Sequence, residues 1–242
     1  EIGLEFFDQM EIHNTRDKAA HTRYADHIYD RLQRKGFLKE DCLDLLIKER
    51  NVFGACMVSL QEADAMICGL NRSYAVTLES VEYVLDPIPN KRVLGLTVMI
   101  CNGRTIFVAD TNVHDMPNGA ELADITQQSA KVVREIFNIE PRAALLSYSN
   151  FGKPFTERSA YIRDALKILN KRDVDFEYDG EMAANVALNE NLLALYPFCK
   201  LSGPANLLIM PAIHSASIST KLLQELGAVS YTHLRAHETT SD

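Results

Sequence analysis

Tryptophan is missing from the chain, and so are the glycine-rich loops by which nucleotide and acyl-transfer enzymes are usually recognised. No Gly-x-Gly-x-x-Gly follows a strand-like run, which excludes the usual nicotinamide dinucleotide fingerprint. Gly-x-x-x-x-Gly-Lys-Ser/Thr and Gly-x-Ser-x-Gly are absent too, so motif logic alone names no reaction. Cysteine is scarce. The five thiols, Cys42, Cys56, Cys68, Cys101 and Cys199, are odd in number and none has Cys-x-x-Cys spacing. Four lie inside apolar runs, so buried, reduced thiols in a cytoplasmic protein are expected. No apolar stretch approaches the ~20 residues that span a bilayer, and no signal peptide is visible, so no membrane partner is expected. Basic clusters are lacking as well: 25 Lys plus Arg stand against 33 Asp plus Glu, a formal charge of −8. That balance speaks against a nucleic-acid partner. It does not speak against a small anion, because net charge does not set local potential. There is no internal repeat, coiled coil or low-complexity tract.

What is present is an ordinary globular composition, 47% apolar and 24% charged, over 242 residues. That length suits one large domain or two small ones. The first 90 residues read as helices with one strand. Thr15 is placed to cap a helix carrying Ala20, Tyr24, Ile28 and Leu32 on one face, and Gly36 to end it. A short helix follows over about 40–48. Val52 to Val58 reads as helix in preference to strand, Ala65 to Cys68 as a short buried strand ending at Gly69, and 71–85 as helix stopped by Pro87 and Pro89. From Val93 the pattern alternates more clearly. Val93 to Ile100 is a continuous apolar run, as in a strand covered on both faces. Asn102-Gly103 then leads into Thr105 to Ala109, the strongest short hairpin signal available. Helices over about 119–137, 156–172, 181–195 and 215–226 alternate with strands at 143–146, 174–178 and 205–210. This order predicts an α/β fold: a three-layer α/β/α arrangement with a mainly parallel sheet and an antiparallel hairpin edge.

Ligands of open α/β sheets bind beyond the carboxyl ends of the strands, and three such ends carry polar groups. Ser147, Ser149, Asn150 and Gly152 offer hydroxyls, an amide and backbone N–H groups that suit phosphate; the alternative is an ordinary loop capping the next helix. Asp179 and Glu181 suit acid/base work, or a helix cap with a dipole-complementing Glu. Ser215 and Ser217, with His214 and Ser219, sit at a helix start that can hold a phosphate or be simply capped. His233 and His237 are four apart, but with no third ligand nearby no metal site is expected.

Taken in order, several segments resemble the phosphate acetyl/butyryl transferase family. They are Asn51 to Val58, Ala63 to Gly69, Glu121 to Ile125, Pro141 to Ser147, Asp179-Gly180-Glu181 and Gly203 to Pro211, and together they cover nearly all of residues 1–227. Asp175 to Ala184, Tyr196 to Asn206 and His214 to Lys221 resemble more narrowly the C-terminal transferase-like domain of bacterial NADP-dependent malic enzymes. The resemblance implies two α/β lobes with a cleft, as in the isocitrate/isopropylmalate dehydrogenase-like fold. It places a partial first lobe at 1–90 and the second lobe at 91–229. It implies acetyl-CoA or an acyl phosphate as ligand, with Ser147, Ser149, Asn150, Gly152, Asp179, Glu181, Ser215 and Ser217 as cleft candidates, and a homo-oligomer. NADP, a divalent metal and malate would belong to an upstream malic-enzyme module. The appended domain would bind acetyl-CoA and regulate, with little or no transfer activity; the alternative is a catalytic phosphate acetyltransferase. Active members carry an Arg-Pro pair where this chain has Leu78-Glu79-Ser80. Their Ser-Arg pair, and the Asp that takes the CoA thiol proton, follow the last helix, so no catalytic residue is carried over. Because the chain starts at Glu1 and not Met, an upstream part is expected, and a closing segment of the first lobe is expected beyond the end. Lacking that closing segment, the chain should be less stable than its parent and prone to associate. Residues 230–242 show no helical or strand period. Ser230 to Thr239 resembles a translated sequencing-adapter tail, so that stretch is expected to be foreign to the domain.

Overall fold

Apolar side chains alternate along the central strands, and that alternation dictates a sheet covered on both sides. The computed structural model describes residues 11–15, 18–69, 72–89, 91–101, 103–152, 157–226 and 230–236. The chain divides into two compact units after Asp86.

The first unit is helical: α1 (Lys18–Leu32), α2 (Lys39–Lys48), α3 (Arg50–Ser59) and α4 (Tyr74–Glu82). A 3-10 turn prolongs α1 until Gly36, whose φ of 90° stops it as the sequence predicts. The expected Thr15 cap adjoins residues 16 and 17, which lie outside the described residues. Ile28, Leu32, Leu46, Val52, Phe53 and Cys56 form the core of this unit. The strand expected at Ala65 to Cys68 is absent. Those residues are an extended loop, Ile67 is fully exposed and Cys68 is exposed. An apolar tetrapeptide cannot satisfy its backbone as a strand without a partner, and the described elements around it are helices.

The second unit holds β1 (Leu94–Cys101), β2 (Arg104–Ala109), α5 (Gly119–Phe137), β3 (Arg142–Leu146), α6 (Glu157–Arg172), β4 (Glu177–Met182), α7 (Ala184–Leu188), α8 (Glu190–Leu193), β5 (Leu207–Ile209), α9 (Ile213–Leu226) and β6 (Ser230–Ala236). The strand order is β4-β3-β5-β2-β1-β6. β2, β5, β3 and β4 run parallel, whereas β1 is antiparallel to both β2 and β6. Cys101 pairs with Arg104 across a two-residue turn in which Gly103 has φ 72°, so the predicted hairpin is present; Asn102 lies outside the described residues. Leu96, Phe107, Ala143, Leu145, Leu207 and Ile209 face α5 and α6. Their neighbours Met99, Val108, Ala144, Leu146 and Leu208 face the side of α7, α8 and α9. This is the three-layer α/β/α fold expected, with the sheet mainly parallel.

Two boundaries differ from the sequence reading. β4 includes Asp179-Gly180-Glu181, and the helix beyond it breaks into α7 and α8. β4 is an edge strand with only two fully buried residues, so it lacks the apolar run of a central strand. Residues 230–236 form a strand paired with β1 along Leu94 to Ile100. Its pairing is made by backbone groups, which need no apolar period.

α5 opens with a capping box: Asn118 Oδ1 accepts from Ala120 N and Glu121 N, and Glu121 Oε2 accepts from Asn118 N. Arg92 and Arg172 both bind Asp124, and Arg134 binds Glu140 and Asp175, so α5 is tied by ion pairs to α6 and to the entry of β4. Gly119 allows the close approach of α6. A Cβ there would lie 2.8 Å from Asp164 Cβ and 3.0 Å from Tyr161 O. Gly119→Ala should therefore destabilise by about 1–3 kcal/mol through overpacking, although alanine is the better helix former. Thermal melts should show the midpoint falling by roughly 2–4 °C per kcal/mol; an unchanged or raised midpoint would mean that α6 can retreat freely.

Candidate functional site

The parallel strands bring the ends of β2, β5, β3 and β4 to one edge of the sheet. β3 continues outward to β4 through α6 on one face, whereas its neighbour β5 continues the opposite way through α9 on the other face. The gap between the carboxyl ends of adjacent strands whose connections diverge is the usual place for a ligand in such sheets. Here the loop after β3 and the start of α9 flank that position.

The loop after β3 is pinned to β4. Ser147 N donates to Met182 O and Phe151 N to Glu181 O, while Asn150 Oδ1 accepts from Ala183 N. Gly152, at φ 114°, turns its N–H onto Glu181 Oε1 at 3.1 Å. The same oxygen accepts from Arg163 Nη1 at 3.1 Å, and Glu181 is only 1% exposed. Ser149 is buried and Ser147 half-buried, with their hydroxyls 3.4 Å apart. Ser147, Ser149, Asn150, Gly152 and Glu181 are thus assembled into one unit, with the N–H groups of Ser147, Phe151 and Gly152 directed into the protein.

Asp179 is engaged elsewhere. Its carboxylate accepts from Gly180 N and Lys200 N, both at 2.8 Å, and bonds the Cys199 thiol. Burial pushes that thiol up to about 11, with Asp179 adding to it against backbone bonds that act the other way. Neither Asp179 nor Glu181 caps a helix, because α7 begins only at Ala184. Ser215 lies in the first turn of α9, its hydroxyl donating to Ala212 O at 2.7 Å, and Ser217 follows inside the helix. These two serines share the edge of the sheet with the β3 loop, and no described hydrogen bond joins them to it.

Two residues at this edge were missed in the sequence. Asp110, directly after β2, is 3% exposed. It accepts from Gly95 N (2.8 Å), Asn112 N (3.0 Å), Val113 N (3.2 Å), His114 N (2.8 Å) and His114 Nδ1 (2.5 Å). Gly95 makes room for this loop, since a Cβ there would meet Thr111 Oγ1 at 2.9 Å. The Asp110 carboxylate can only accept, so His114 Nδ1 is the donor and Nε2 is left free of this bond. The available signal was an Asp-x-x-x-His directly following a strand. Among the described residues no group of three or more His, Cys, Asp or Glu is arranged to hold a metal, and no helix is long and apolar enough to cross a membrane. His237 and the side chain of His233 lie outside what is described.

Residues 2–232 match the model of the family described as phosphate acetyl/butaryl transferase. The chain belongs to that family. It is 55% identical over 204 residues to an NADP-dependent malic enzyme of Rhizobium meliloti, covering 84% of this chain and 27% of that enzyme. It is 31% identical to a phosphate acetyltransferase of Thermoanaerobacterium thermosaccharolyticum, covering 85% of this chain and 65% of that protein. Among solved structures, a phosphotransacetylase from Streptococcus pyogenes superposes with a TM-score of 0.81 at 26% identity, covering 93% of this chain and 68% of that one. The chain therefore spans little more than a quarter of the malic enzyme it matches.

Burial pushes the Asp110 carboxyl upward, but the His114 ring and the backbone N–H groups outweigh it and hold the acid below its usual range. The ionised form thus favours folding above the unfolded value near 3.9, and this contribution disappears as pH falls through the lower folded value. Asp110→Asn should cost roughly 1–3 kcal/mol at pH 7, because buried N–H donors then face an amide. Melts between pH 3 and 8 should show the variant losing less stability on the acid side; parallel curves would deny Asp110 this role.

Proposed function

We propose that the chain is the transferase-like domain of an NADP-dependent malic enzyme and works as an acetyl-CoA-responsive regulatory domain. The parent enzyme would convert malate to pyruvate by oxidative decarboxylation, with NADP and a divalent metal held in its other module. The observation carrying this reading is that Asp110, Asp179 and Glu181 are each engaged by the protein, Glu181 through one of its two oxygens. Asp110 holds its own loop, Asp179 holds Lys200 and Cys199, and Glu181 holds Gly152 and Arg163. A CoA thiol with a pKa of ~8.5 needs a base to transfer an acyl group efficiently near neutrality. Engaged carboxylates support binding over turnover. In the first unit, Glu79 stands where active transferases carry a cation, and it accepts from Tyr83 Oη at 2.9 Å. Within the second unit, the crevice bordered by Ser147, Ser149, Asn150, Gly152, Ser215 and Ser217 would receive acetyl-CoA or an acyl phosphate. The parent would assemble as a homo-oligomer.

A second reading, catalytic phosphate acetyltransfer between CoA and phosphate, has one observation in its favour. Asp110 orients the His114 ring so that its Nε2 lone pair can serve as a base. Calorimetry with acetyl-CoA, paired with an assay of acetyl-CoA formation from acetyl phosphate and CoA, separates the two. Binding without turnover is expected, together with a change in malate oxidation on adding acetyl-CoA when the malic-enzyme module is attached. Turnover that His114→Gln reduces by about a hundredfold or more, the usual worth of a general base, would establish the second reading. Absence of both binding and response would remove the first.

A further inference from the structure

A cavity of about 250 Å³ lies under α9, against the face of the sheet opposite α5 and α6. Met99, Val108 and Leu208 floor it, and Leu188 of α7 and Leu223 of α9 wall it. α9 contributes Ser219 and Thr220 to the lining, yet both hydroxyls are satisfied within the helix. Ser219 Oγ donates to Ser215 O at 2.6 Å and Thr220 Oγ1 to Ala216 O at 2.8 Å. The inner surface is therefore apolar in effect as well as in composition.

The end of the cavity beside the β1–β2 turn is different. Cys101 and Arg104 line it there, and Arg104 is exposed. Arg104 Nη1 donates to Leu188 O at 3.1 Å, the last carbonyl of α7. Among the described residues no carboxylate pairs with Arg104, whereas Arg92, Arg134, Arg163 and Arg172 of this unit each have one and Arg142 donates instead to Pro204 O. An apolar cavity with one unneutralised guanidinium at its rim is complementary to an aliphatic chain bearing one anionic head. Its volume is below the ~300 Å³ at which drug-sized pockets begin, which suits a single short chain.

We propose that this cavity binds a free straight-chain carboxylate, with the chain under α9 and the carboxylate on Arg104. The proposal does not depend on the crevice at the strand ends or on the function assigned to it. Competitive calorimetry with the series from butyrate to dodecanoate tests it. Each added methylene should tighten binding roughly fourfold, the worth of burying one CH₂, until the cavity is full, and then have no further effect. Arg104→Gln should weaken the whole series by about tenfold or more, the scale of a charged hydrogen bond. The methyl esters should bind the unaltered protein as weakly as the acids bind that variant, which keeps the head-group test valid should Arg104→Gln fail to fold. Octanoate should also slow alkylation of Cys101 by iodoacetamide, followed peptide by peptide, while leaving exposed Cys68 unaffected. Affinity independent of chain length, esters binding as well as acids, an unprotected Cys101, or no binding at all would each overturn the proposal.

Discussion

A parallel sheet has to be dry on both faces, and most of what this chain does structurally follows from that requirement. The strands alternate two apolar sets, one against α5 and α6 and the other against α7, α8 and α9. Crossovers must therefore leave the sheet on both sides. Once they do, some pair of neighbouring strands has to send its connections in opposite directions. Here that pair is β3 and β5, and the crevice is a topological consequence of core burial before any polar residue is considered. The polar groups then lie where the chain is free of the sheet's packing demands.

Legibility in the sequence tracked how strongly each segment obeyed a single local rule. α5 was readable because its apolar stripe is long, and the Asn118–Glu121 capping box fixes its start in the structure. The hairpin was readable because Asn102-Gly103 sits between two β-type runs. β4 was misplaced because Asp179-Gly180 is turn chemistry occurring inside an edge strand, where half-exposed positions tolerate it. The strand at 230–236 was invisible for a related reason: its place is fixed by backbone pairing with β1. Ala65 to Cys68 failed the other way, with strand-like residues and no ladder to join. Of the site, the serine and asparagine loop was legible as a strand end. The Asp110 cage was not, since most of it is closed by backbone N–H groups that carry no sequence signal, leaving only the Asp-x-x-x-His spacing after a strand and Gly95 as hints.

The same economy of carboxylates runs through the functional reading. Acyl transfer involving a thiol would demand a base, whereas recognition alone would not. Asp110 and Glu181 each hold a loop at this edge of the sheet. His114 is the exception, and it stands where one buried acid orients one ring. Family membership is thus compatible with either outcome, and the distinction rests on proton inventory more than on fold.

The Asp110 cage has a consequence for how anything would bind beside it. Its loop has no regular secondary structure, yet the amides of Asn112, Val113 and His114 are all donated to one buried carboxylate. Amides held in this way exchange slowly with solvent, as ladder amides do. The ordering cost of the loop therefore falls on folding and not on ligand association. A ligand arriving beside this loop would meet a preorganised wall, and its affinity would not be diminished by the entropy of immobilising it.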